Sequence, residues 1–221
     1  MYQFPKQAEF NKVLPKSKIY SHAKPGRAVR ELFVSEINEI VWKFKLSPDT
    51  INLPAKDWIE EIQVFEIELK TQELDESVLL AIDKAIRFPI LYQLRFQDQV
   101  KFVAGYKRPN EADVSKLVME AYFETPWQLG DAPRGPLPMV LDLAALYEDI
   151  LRSMIPIPRL PGESLKDQVN RVLEIRAKER QCQELETNLT KEKQFNRKVE
   201  INSALRSTKA RLDQLSSVKP G

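Results

Sequence analysis

The chain has 221 residues, 43% of them apolar, enough for one ordinary domain with a real core and an appendage. Its 34 basic residues are nearly balanced by 32 acidic ones, which excludes a globally polycationic nucleic-acid coat. A single His and a single Cys exclude a Cys/His zinc site and any intramolecular disulfide. No apolar run approaches the ~20 residues of a membrane helix, and the N-terminus carries no signal-peptide stretch, so the expectation is a cytoplasmic protein. Charge is uneven along the chain. Residues 1–30 hold Lys6, Lys12, Lys16, Lys18, Lys24, Arg27 and Arg30 against Glu9 alone, and the last quarter is also basic.

Residues 1–26 mix Pro5, Pro15 and Pro25 with lysines and with Tyr2, Phe4, Phe10 and Tyr20, without sustained period, which predicts an extended arm. Val29, Leu32, Phe33, Ile37, Ile40, Val41 and Phe44 then fall at helical spacing and predict an amphipathic core helix, ended by Ser47-Pro48. Ile62, Val64, Phe65, Ile67 and Leu69 form a β-type run, and Val78, Leu79, Ile82 and Ile86 return to helical period. A strand–helix–strand unit follows. The segments 89–96 and 100–106 alternate on both sides of Gln97-Asp98-Gln99 and predict a hairpin. Residues 116–124 supply another strand, 126–138 an irregular loop, and 141–155 a second amphipathic helix. Pro156, Pro158 and Pro161-Gly162 close it.

From Ser164 to Ser217 there is neither Gly nor Pro, and Lys, Arg, Glu, Gln and Leu dominate. Ser164-Leu-Lys-Asp167 has the form of a capping box with Asp in place of Glu. Leu165, Val169, Val172, Leu185, Leu189, Val199, Leu205 and Leu212 keep heptad phase in patches. Two readings fit: a continuous helix about 80 Å long in a dimeric coiled coil, or a helical hairpin bending near Lys191 to Phe195. The lack of Gly or Pro at the bend favours the unbroken helix. The fold class is thus α+β, a mainly antiparallel sheet with packed helices followed by a long C-terminal helical, coiled-coil-like tail. Its parts are an arm (1–26), a head (27–162) and the tail (163–221).

Three surfaces could carry function. Pro48-Asp49 followed by Glu68-Leu-Lys70 resembles the PD-(D/E)xK nuclease pattern, in which two carboxylates hold Mg²⁺ and the lysine orients water. Such short matches also arise by chance, Asp49 sits in a turn signal, and Glu66, Glu68 and Lys70 suit a solvated strand face, so the set Asp49, Glu68, Lys70 stays the alternative. No metal or cofactor is expected outside it, and no catalytic residue is assigned. The basic arm, through Lys6, Lys12, Lys16, Lys18, Lys24, Arg27 and Arg30, could contact phosphates while its aromatics stack bases. Packing onto its own sheet or a partner is the favoured reading. In the tail, Phe195, Asn196, Val199 and Asn202 share one helical face, and with Leu185, Leu189, Leu205 and Leu212 they form the expected interface, for a homodimer or a protein partner. His22 reads as an exposed arm residue, and Cys182 as a seam or surface residue.

Phe4-Pro5-Lys6, Leu14-Pro15-Lys16, residues 40–53, 62–70 and 79–86, Gly105-Tyr106-Lys107 and the tail segment 192–202 together resemble the DUF4391 family, a bacterial and archaeal domain of unknown function. The resemblance covers nearly the whole chain. The family offers no catalytic residues to carry over. It implies a neighbourhood, since such proteins look like companions of helicases and DNA methyltransferases in restriction-like or antiphage islands. The reading is therefore a non-catalytic accessory or scaffold subunit, with a Mg²⁺-dependent nuclease or a DNA-binding module as alternatives.

Overall fold

The central apolar runs assemble into one mixed sheet. A computed structural model describes residues 1–216, so positions 217–221 of the tail lie outside the described residues. The chain divides into two compact units, Met1–Met154 and Ile155–Gly221. In the first, β1 (Glu9–Val13), β2 (Ile37–Leu46), β3 (Ile62–Leu69), β4 (Ile90–Phe96), β5 (Gln99–Pro109) and β6 (Leu117–Glu124) lie side by side in chain order. The short β7 (Gln128–Leu129) pairs with the start of β5. Every pairing is antiparallel except β3 with β4, which need a crossover and obtain it from α4 (Glu76–Ala85). The mainly antiparallel α+β fold, the strand–helix–strand unit and the β4/β5 hairpin of the sequence reading are all present.

Side-chain alternation divides the sheet. Phe65, Ile67 and Leu69 of β3 with Tyr92 and Leu94 of β4 form a core with Ile19 of α1 (Lys16–Ala23), Phe33 of α2 (Arg27–Glu36) and Val78 and Ile82 of α4. Glu66 and Glu68 with Gln93 and Arg95 take the other face. α5 (Leu143–Arg152) packs on β5 through Tyr147, whose hydroxyl donates to the Gly105 carbonyl at 2.6 Å and accepts the Lys107 N–H at 2.7 Å.

Two expectations for the first unit are corrected. Residues 1–26 are not extended throughout: β1 is an edge strand paired with β2, which is the packing onto its own sheet that the sequence favours, but Lys16–Ala23 form α1, which buries Ile19. β1 escapes pattern recognition because four of its five residues are exposed, so nothing alternates. The helix expected through Val29 to Phe44 ends at Glu36, and Ile37 onward is β2. The apolar spacing fitted either element, but the β-branched and aromatic Ile37, Ile40, Val41, Trp42 and Phe44 gain strand neighbours on both sides.

α5 is capped by Asp142, whose carboxylate accepts the Ala145 N–H at 2.8 Å and meets Lys56 at 3.0 Å. The backbone bond first, and Lys56 after it, hold this carboxyl below its usual range. A folded-state value below the unfolded value of about 3.9 contributes stability that is whole above that pH and is lost as pH falls through the lower value. Asp142→Ala is therefore expected to lower the melting temperature at pH 7 and to approach wild type near about pH 2. An equal deficit at both pH values would contradict the linkage.

In the second unit the tail is a hairpin, which corrects the preference for an unbroken helix. α6 (Leu165–Lys191) and α7 (Phe195–Ser216) pack against each other, tied by Arg211 to Glu174 and by Lys209 to Glu186, both at 2.8 Å. Neither Gly nor Pro makes the bend. Glu192 leaves helical geometry at ψ 136°, and its carboxylate accepts the N–H groups of Lys193 and Gln194 at 2.7 and 2.8 Å, satisfying donors that open α7. At the other end Ser164 caps α6 by accepting the Asp167 N–H, as the sequence predicts. Spin labels at positions 183 and 207, with Cys182→Ser, are expected to sit within about 20 Å across neighbouring helices, whereas a continuous helix places them about 36 Å apart. Double electron–electron resonance separates the two. No described helix is long and apolar enough to cross a membrane.

Candidate functional site

The hairpin sorts the expected interface residues into two groups. Leu205 is buried and Leu185, Leu189 and Leu212 are half-buried, so these four are largely withdrawn from solvent within the tail, as are Ile175 and Cys182. Phe195, Asn196, Val199 and Asn202, on the first turns of α7, stay exposed, with Phe195 at 77% and Val199 at 53%. The Asn202 amide donates within its own helix, to the Lys198 carbonyl at 3.0 Å. Lys191, Lys193, Arg197 and Lys198 neighbour them in sequence, all exposed, with Arg197 4.0 Å from Glu192 and Glu200 also exposed. A solvent-facing Phe and Val one turn apart amid cations is a surface suited to an apolar groove with an acidic rim.

The nuclease set is not brought together. Leu46 pairs with Ile62 and Ile37 with Leu69, so Asp49, just past Leu46, lies at the opposite end of β3 from Glu68 and Lys70, about 20 Å away at 3.3 Å per residue. Asp49 is in the first turn of α3 (Pro48–Ile51), where Ser47 and Thr50 form a capping box. Lys70 donates to the Val34 carbonyl at 2.7 Å, at the C-terminal end of α2. Glu68 lies 3.8 Å from Arg95, and Glu66 meets Lys43 at 3.3 Å and Arg95 at 3.8 Å. Directly across from Glu68 stands Glu39 of β2, a carboxylate that the sequence reading did not single out. Among the described residues no group of three or more His, Cys, Asp or Glu is placed to hold a metal ion.

The basic N-terminal residues are distributed over structure as well. Lys16 donates to the carbonyls of Phe33 and Ile37 at 2.8 and 2.7 Å, closing the end of α2, and burial followed by nearby Lys70 lowers its pKa. Arg27 pairs with Glu31, and Arg30 lies over the Tyr20 ring. Lys6, Lys12, Lys18 and Lys24 remain solvent-facing.

A buried polar network was also missed. Lys107 and Asp83, each with a side chain 3% exposed, meet at 2.9 Å. The other Asp83 oxygen accepts the hydroxyls of Tyr92 at 2.8 Å and Tyr122 at 2.6 Å, and Lys107 also donates to the carbonyls of Asp83, Ile86 and Phe88. Burial first, then Asp83, drives both tyrosine pKa values far up, which keeps them as donors. With its donors and acceptors committed to one another, this is a clamp between α4, β4, β5 and β6. Pairing across such sequence distance leaves no local signal, although a lysine in the strand segment Gly105-Tyr106-Lys107 was the available hint.

A family model for a domain of unknown function, DUF4391, matches residues 3–212. Comparison with curated proteins and with solved structures gives no match.

Proposed function

The chain belongs to the DUF4391 family, and on that premise we propose that it is a non-catalytic accessory subunit that docks a larger DNA-processing protein through the turn end of its C-terminal hairpin. The carrying observation is the split fate of the tail's apolar residues. Leu185, Leu189, Leu205 and Leu212 are withdrawn within the tail, whereas Phe195 and Val199 remain exposed beside a basic cluster. A homodimeric coiled coil would need the seam residues themselves, so the exposed face better suits a different protein. The partner class, a helicase or DNA methyltransferase of a restriction-like or antiphage system, rests on the family resemblance alone. Co-expression of the full chain with such companions tests it. A complex that co-elutes at stoichiometric ratio and survives about 0.3 M salt is expected, because the anchor is apolar; separate elution from every companion would refute the assignment.

A second reading, a Mg²⁺-dependent nuclease, rests on one observation: the register sets Glu39 opposite Glu68, a like-charge pair beside which Arg95, 3.8 Å from Glu68, already stands. Glu39 would then take the role expected of Asp49. Mg²⁺-dependent DNA cleavage by the full chain, abolished by Glu68→Ala without loss of fold, would establish it.

A further inference from the structure

The head contains a cavity of about 790 Å³ between β1 to β3, α1 and the end of α4, within the size range of small-ligand sites. Its walls include the rings of Phe10, Trp42, Phe65 and Phe88. Phe10 and Trp42 lie 4.1 Å apart between centroids, and Trp42 and Phe65 6.1 Å. Phe65 is buried, so the half-buried Phe10, Trp42 and Phe88 are the rings on which a flat heterocycle would stack.

The polar lining is unusual. Gln63 and Glu61, 4% and 8% exposed, both line the cavity although Gln63 shares a strand face with the core residues Phe65 and Ile67. The Gln63 Nε2 donates to Glu61 at 2.5 Å, and Lys45 holds the other Glu61 oxygen at 3.1 Å. That carboxylate fixes the amide, since the flipped orientation would set two acceptors together. Gln63 Oε1 is thereby left buried without a hydrogen-bond partner. Orphaned buried acceptors are uncommon because they forfeit their hydration. The unfilled capacity here is therefore acceptor capacity, which calls for donors on a ligand.

Apart from Glu61, the charged residues of the lining are cationic. Lys12, Lys18 and Arg87 border the cavity, Lys12 over the Phe10 ring at 4.3 Å. Lys12 and Lys18 have no ion-pair partner among the described residues.

We infer that this cavity is a nucleotide site, with the base stacked on the aromatic wall, its donor edge on Gln63 and Glu61, and its phosphate at Lys12, Lys18 and Arg87. Guanine fits best, because its N1–H and amino group are adjacent donors. Adenine and cytosine each offer one amino group, and uracil flanks its single N–H with acceptors that Glu61 would repel. This site is independent of the docking proposal and stands or falls separately from it.

Calorimetry and tryptophan fluorescence on the full chain test it with GMP, UMP, guanosine and inorganic phosphate as probes. GMP is expected to bind with a Kd below about 100 μM, to quench fluorescence and to weaken as salt rises. Guanosine should bind at least about tenfold more weakly, and UMP not measurably. Gln63→Met, similar in size but without the amide, should weaken GMP about tenfold or more, and, because Glu61 loses its Nε2 donor, should cost the free protein some stability. Should that variant fail to fold, Lys18→Ala, at an exposed position, must still lower GMP affinity and its salt dependence. Absence of GMP binding at millimolar concentration, equal binding of UMP, displacement of GMP by phosphate at equal concentration, or unchanged affinity in Gln63→Met would each overturn the assignment.

Discussion

Asp83→Ala is expected to destabilise the head by about 3–5 kcal/mol, the cost of leaving a buried charge without its partner. Lys107 cannot escape to water, since its side chain is 3% exposed, and the variant would leave its ammonium with only the carbonyls of Asp83, Ile86 and Phe88. Those three carbonyls cluster at the C-terminal end of α4, where the helix dipole favours a cation, so the loss should lie toward the lower end of the range. Tyr92 and Tyr122 lose their shared acceptor at the same time. For a protein of this size the melting temperature should fall by about 10 °C. The double variant Asp83→Leu with Lys107→Met should recover part of the loss, because the pair contributes more to uniqueness than to stability. A deficit under about 1 kcal/mol in urea denaturation would mean that water reaches the pair. The neighbouring Gly105 belongs to the same arrangement: a Cβ there would come within 2.5 Å of Met119 Cε and 2.9 Å of Tyr122 Cε1.

Arg171→Ala should have the second largest effect, about 3 kcal/mol, confined to the hairpin unit. Its guanidinium takes both oxygens of Glu163 at 2.7 and 2.9 Å and donates to the Pro158 carbonyl at 2.7 Å and to the Leu215 carbonyl at 3.2 Å. One side chain, 10% exposed, thus ties the Pro-rich lead-in to α6 and to the last turn of α7. Arg171→Lys should restore little, because a point charge cannot span four acceptors in a planar fork. Hydrogen exchange in the last turns of α7 is the direct readout: protection should collapse there in both variants while the sheet keeps its own. Unchanged protection would place the stability of the hairpin in its apolar seam alone.

What could be read from sequence depended on whether the signal was local. The β4/β5 hairpin announced itself by alternation around a polar turn, and β3 and α4 by a change of period from two to 3.6. At residues 29–44 the same apolar spacing served a helix and then a strand, and only pairing with β1 and β3 decides where one ends. The hairpin bend was hidden because a glutamate, not a glycine, caps it. Phe195 and Val199 were legible as candidates because apolar residues in a charged helix stand out. Asp49, Glu68 and Lys70 matched a motif in one dimension that the register pulls apart, while the Glu39–Glu68 juxtaposition exists only in the sheet. Gln63 left a faint trace, a polar residue in the buried row of β3.

Affinity of the full chain for the helicase or methyltransferase companion proposed for it, measured for wild type and for Phe195→Asp with Val199→Asp, tests the docking role most directly. Both positions are exposed, so the double variant should melt as wild type does. The expected result is a loss of binding of at least about a hundredfold, as for buried aromatic anchors at an interface. Wild-type affinity in a folded double variant would contradict the assignment of this face as the docking surface.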